Sequence, residues 1–125
     1  MRHLDFEAAK AGQAITRAAK KTGVSGAKAE NLLMKALGVL QKNGPYACIL
    51  YLSSQAKEEK MAEIIYSKLL NLAEMMTGHR PKGSSGCEYI SDHVCTDLEA
   101  LLLVKRFWEQ TLIYARYGAK AMEDG

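Results

Sequence analysis

Proline, the strongest breaker of a helix, occurs only at Pro45 and Pro81. Elsewhere no missing N–H or ring clash interrupts an i→i−4 ladder, so long stretches are free to propagate as helix. Those stretches are rich in Ala, Leu, Lys, Glu and Met, which are good helix formers. No run of Val, Ile and Thr alternates at period two, and strands are not expected. The fold expected is all-α, a single-domain helical bundle of about five to six helices over 1–125 with a long C-terminal helix. At 125 residues and 48% hydrophobic composition, the chain can bury a core without disulfides.

The apolar spacing places the helices. The first is expected from about Leu4 to Lys21, with Leu4, Ala8, Ala11, Ile15 and Ala18 on one face and Lys10, Arg17, Lys20 and Lys21 roughly opposite. Gly23 and Gly26 end it. Ser25 is the expected N-cap of the second helix, whose inner face carries Ala29, Leu32, Leu33, Ala36, Val39 and Leu40. Lys28, Lys35 and Lys42 recur every seven residues on its outer side. Asn43-Gly44-Pro45 is a turn into a short third helix, YACILYLSSQ, apolar enough to be expected buried. A fourth runs from about Glu58 to Met76, with Met61, Ile64, Ile65, Leu69, Leu72 and Met76 inward. TGHRPKGSSG, at 77–86, is expected to be a mobile loop, and 87–96 a short helix. The last helix, from about Asp97 to Met122, spans ~37 Å at ~1.5 Å per residue. Leu101, Val104, Trp108, Leu112 and Ala115 form its core stripe. Leu102, Ile113 and Tyr117 project elsewhere, which makes the helix central or turned toward a protein partner.

Several functions find no footing. MRHLDFEAAKAG has no apolar core and no cleavage site for a signal peptide. No apolar run reaches the ~18 residues of a membrane span, so a cytoplasmic protein without a membrane partner is expected. The three cysteines are odd in number and irregular in spacing, which reads as free thiols in a reducing compartment. Cys87, His93, Cys95 and His79 lack the paired spacing of a structural zinc site. Nothing orients them as a nucleophile and base. GHRPKGSSG lacks the order of a phosphate-binding loop. Glu58, Glu59, Asp92 and Asp97 read as solvated helix ends and caps. No catalytic constellation, cofactor site, metal site or small-molecule substrate is expected.

AAKKTGVSGAKAENLL, residues 18–33, has the outline of a DNA-binding helix-turn-helix. Its second helix would begin with only Lys28 and Asn31 able to read base edges, and Glu30 would face phosphates. An αα-hairpin closed at a glycine turn gives the same pattern without DNA. A helix-turn-helix regulator and a helical protein-interaction adaptor are the two alternatives to the reading below.

Residues 1–42 hold eight Lys and Arg against three acids, a net of +5, and the other 83 hold nine against eleven, a net of −2. Lys10, Arg17, Lys20 and Lys21 on one helix, and Lys28, Lys35 and Lys42 on the next, could form one strip. That requires the two helices to pack antiparallel with both lines on one side. Such a strip would follow a phosphate backbone without reading sequence; otherwise the lysines solvate the outside of the bundle.

Two segments carry a family resemblance. ALGVLQKNGPYACILYLSSQ, residues 36–55, resembles the small helical subunit of the Cmr complex, the type III-B CRISPR RNA-guided effector, in its Asn-Gly turn between helices and its Ala- and Leu-rich second helix. LEALLLVKRFWEQTLIYA, residues 98–115, resembles that family's C-terminal helix, with Lys105, Arg106 and Phe107 at its centre. The type III-A small subunit has the same role in a related complex. The resemblance implies a non-catalytic protein that stacks head to tail with copies of itself beside other Cmr subunits that hold the guide RNA, and helps accommodate the duplex of guide RNA and target RNA. It implies nucleic-acid contacts at Lys105 and Arg106, joined by the basic lines at Lys10, Arg17, Lys20, Lys21, Lys28, Lys35 and Lys42. Protein contacts are expected at Leu102, Ile113 and Tyr117.

Overall fold

The long C-terminal helix runs through the middle of the bundle. The structure is a computed structural model and describes residues 4–78 and 86–124. They form α1 (Leu4–Thr22), α2 (Gly26–Ala56), α3 (Lys60–Thr77), α4 (Gly86–His93) and α5 (Leu98–Asp124), an all-α bundle. Of the loop expected to be mobile at 77–86, residues 79–85 lie outside the described residues, while Thr77 ends α3 and Gly86 opens α4.

Local signals set the helix ends. Ser25 Oγ accepts the Lys28 N–H at 3.1 Å and caps α2. Asp97 Oδ1 accepts the N–H groups of Glu99 at 3.0 Å and Ala100 at 3.3 Å and caps α5. Gly78 closes α3, its N–H donating to the Glu74 carbonyl at 2.9 Å.

α2 is not one rod. Gly44 has φ +91° and ψ 179°, a conformation that L side chains rarely adopt, and Pro45 follows it. Cys48 Sγ lies 3.6 Å from the Ala36 carbonyl oxygen. In a straight helix a separation of that length would span ~18 Å. The limb 45–56 therefore folds back along the limb 26–43. This is an αα-hairpin at the turn expected from Asn43-Gly44-Pro45. The second limb is less buried than its composition suggested: Cys48, Ile49 and Leu52 are buried, but Tyr46 and Leu50 are exposed. Burial pushes the Cys48 thiol up to about 12, because the thiolate would lose its hydration there.

The αα-hairpin that a glycine turn at Gly23 would close is not present as a packed pair. α1 and α2 make little contact with each other, and both pack extensively on α5. Their apolar stripes had no reason to meet once a longer helix, carrying Val104, Trp108, Leu112 and Ala115 as buried core residues, could lie between them. α3 packs on α2, α1 and α5, and α4 on α2. α4 is also fastened to α3, where Gly86 N–H donates to the Tyr66 hydroxyl at 3.0 Å and the Thr77 and Tyr89 hydroxyls share a hydrogen bond of 2.6 Å.

α1 meets α5 through small residues. The buried stripe is Ala8, Gly12, Ile15 and Ala19, whereas Ala11 and Ala18, expected inside, are half-buried. A Cβ at Gly12 would meet the Tyr114 Cβ at 2.8 Å, and one at Gly118 would meet Thr16 Oγ1 at 2.3 Å. Contacts advance in the same sense along both helices, Gly12 with Tyr114 and Ala115, Thr16 with Gly118, Lys20 beside Met122. The two helices thus run parallel, with their backbones close.

Candidate nucleic-acid interface

The close, parallel packing of α1 on α5 leaves a groove on the outer side of the pair. Ala9, Gln13, Thr16 and Arg17 line it from α1, and Tyr114 and Gly118 from α5. It continues toward the C-terminal ends past Lys20, Ala121 and Met122. Toward the N-terminal ends, Asp5 of α1 and Leu103, Arg106, Phe107 and Gln110 of α5 line a further recess. The Tyr114 hydroxyl donates to the Asp5 carboxylate and ties the two stretches together. That bond raises the Tyr114 pKa above the ordinary phenol value, because losing the proton would set a phenolate beside a carboxylate. Arg17 Nη2 donates to Gln13 Oε1 at 3.4 Å.

A second basic recess lies elsewhere. Lys28, Asn31 and Lys35 on the first limb of α2 face Tyr51 and Gln55 on its second limb, with Glu59 and Met61 at the start of α3. Lys28 Nζ is 3.3 Å from Glu59 Oε2. Glu59 is the N-cap residue of α3, a helix end as expected, and it is also an ion-pair partner. Glu30 does not face outward: its Oε2 lies 3.5 Å from Arg116 Nε, with its side chain only 17% exposed.

The two basic lines therefore do not join into one strip. Arg17 and Lys20 belong to the α1–α5 groove, Lys28 and Lys35 to the recess between the limbs of α2, and α5 stands between α1 and α2. Lys10 lies over the Phe6 ring, 5.4 Å from its centroid, a cation–π contact that turns it toward its own helix. Lys21 and Lys42 are exposed.

Lys105 and Arg106 separate because consecutive helical residues differ by ~100° in direction. Lys105 is half-buried, Arg106 is exposed, and Phe107 is buried in the core. Among the residues expected at a protein interface, Leu102 and Tyr117 are exposed at 58% and 64%, and Ile113 is half-buried against the core. Leu98 and Leu103 are further exposed apolar residues of α5.

Sequence reasoning did not single out Gln13, Tyr114, Tyr51 or Gln55. Tyr114 carried the clearest signal, since it lies one helical turn from both Gln110 and Gly118. Cys48, Cys87 and Cys95 are free, and no group of three His, Cys, Asp or Glu able to hold a metal gathers among the described residues. No helix among the described residues is long and apolar enough to cross a membrane. No protein-family model, curated protein or solved structure matches the chain.

Proposed function

We propose that the chain is a non-catalytic small subunit of a type III-B CRISPR RNA-guided effector, acting in the cytoplasm of a prokaryotic cell. It meets copies of itself and other Cmr subunits, and it contacts guide and target RNA through basic side chains. One observation carries the reading most. α5 is covered by α1 and α2, yet its remaining face keeps Leu102, Arg106 and Tyr117 in solvent. A helix already central to its own bundle has no folding need for apolar and cationic residues there, and a neighbour or a polyanion accounts for both.

The resemblance adds support through its placement. Residues 36–55 form the reversal of α2 and residues 98–115 form most of α5. These two helices share the most extensive contact in the bundle. The type III-A small subunit would use the same features in its own complex.

The test is charge reversal at the paired positions. Lys105→Glu with Arg106→Glu is expected to weaken assembly of the effector or its retention of target RNA while leaving the helical circular dichroism unchanged. Arg106→Glu alone is expected to account for most of the loss, because Lys105 is half-buried. Unchanged assembly and RNA retention in the double variant would count against the reading.

A further inference from the structure

Arg17 and Lys20 of α1 face Tyr114, Gly118 and Met122 of α5 across one groove. Parallel packing makes this groove straight, and its two banks repeat at helical spacing. Gln13, Arg17 and Lys20 recur on one bank and Tyr114 and Ala121 on the other; helical spacing sets Tyr117 between Tyr114 and Ala121 along α5, just beyond the lining residues. Gly118 keeps the floor low, since a Cβ there would run into the Thr16 side chain. Arg106 extends the positive charge toward the N-terminal end.

Three properties suit this groove to a nucleic-acid strand. Among the described residues, Arg17, Lys20 and Arg106 form no ion pair; Lys35 in the other recess is likewise unpaired, but Lys28 beside it is held by Glu59. The carboxylate at the N-terminal end, Asp5, already accepts the Tyr114 hydroxyl. Tyr117, one turn beyond Tyr114, holds its ring in solvent at 64% exposure. Unpaired cations along a track, with an exposed aromatic ring on the same helix pair, match the way proteins hold single strands. The cations follow the phosphates, and any base can stack on the ring. A duplex offers no free base face to Tyr117.

We propose that the α1–α5 groove holds a single strand of RNA, its phosphates along Arg17, Lys20 and Arg106 and a base stacked on Tyr117. RNA as the polymer rests on the effector reading above; a single strand rests on the groove itself. Recognition is independent of base sequence, and the recess at Lys28 and Lys35 takes no part.

The experiment is fluorescence anisotropy of a labelled oligouridine with the full chain, against an RNA duplex of the same length. Oligouridine is expected to bind more tightly than the duplex. Tyr117→Ala weakens it about tenfold, and Tyr117→Phe restores it. Arg17→Glu with Lys20→Glu weakens it at least about tenfold and flattens the dependence of log K on log salt by about 1.4. Lys57→Glu with Lys60→Glu, the same charge change at exposed positions outside the basic lines, leaves it unchanged. Every substituted residue is exposed, and unchanged circular dichroism verifies folding. Absent oligouridine binding, equal or tighter duplex binding, or full affinity in Tyr117→Ala each overturns the proposal. A chain that enters the effector particle yet ignores oligouridine loses the groove and keeps the effector reading. A chain that binds oligouridine and enters no particle does the reverse.

Discussion

Gly12 of α1 lies so close to Tyr114 of α5 that an added Cβ would sit 2.8 Å from the Tyr114 Cβ. The backbone nitrogen of Ala115 follows at 3.1 Å, so a larger residue at Gly12 cannot be relieved by a rotamer change alone. Gly12→Val is expected to destabilise the chain by about 2 kcal/mol, the usual scale of overpacking. The measurement is the midpoint of urea unfolding, and an unchanged midpoint would mean that the two helices do not touch there.

Thr111, on the same helix, is fully buried, and its Oγ1 has no hydrogen-bond partner among the described residues. A buried hydroxyl without a partner has lost its hydration for nothing. Thr111→Val keeps the branched shape and is expected to stabilise the chain by about 1 kcal/mol. Loss of stability in urea unfolding would show that the hydroxyl is bonded.

Tyr114 predicts a pH dependence. Its hydrogen bond to Asp5 raises its pKa in the folded chain above the ordinary 10.0. The folded state therefore holds this proton more tightly than the unfolded state. The resulting stabilisation is fully present below pH 10.0 and is lost as pH rises through the folded value. Asp5→Asn is expected to return Tyr114 toward ordinary phenol titration, read by near-ultraviolet absorbance of the phenolate. An identical titration in Asp5→Asn and the parent would contradict the Asp5 contact.

Much of this architecture is legible in local chemistry. Pro45 after Gly44 marks the reversal of α2, Ser25 marks its cap, and Val104, Trp108, Leu112 and Ala115 mark the buried side of α5. Such signals act over a few residues, and the periodicity of one helix reports its own apolar face. It does not report which helix covers that face. The small residues of α1 could have met α2 across the turn at Gly23, and the choice of α5 instead depends on packing between residues about a hundred positions apart. The basic lines fail to join for the same reason. Arg17 and Lys28 each sit where their own helix puts them, but the intervening α5 sends them to different recesses. The same long-range packing hides the groove at Tyr114; helical spacing separates Lys105 from Arg106, but which of the two is half-buried depends on what packs against α5.

The proposed place of this chain is inside an RNA-guided effector. The most direct measurement is a tagged pulldown from the native host, with sequencing of the nucleic acid that co-purifies. A multisubunit particle carrying repeat-derived guide RNAs is expected. Recovery of a small dimer on one defined DNA site, or of protein partners without nucleic acid, would contradict it.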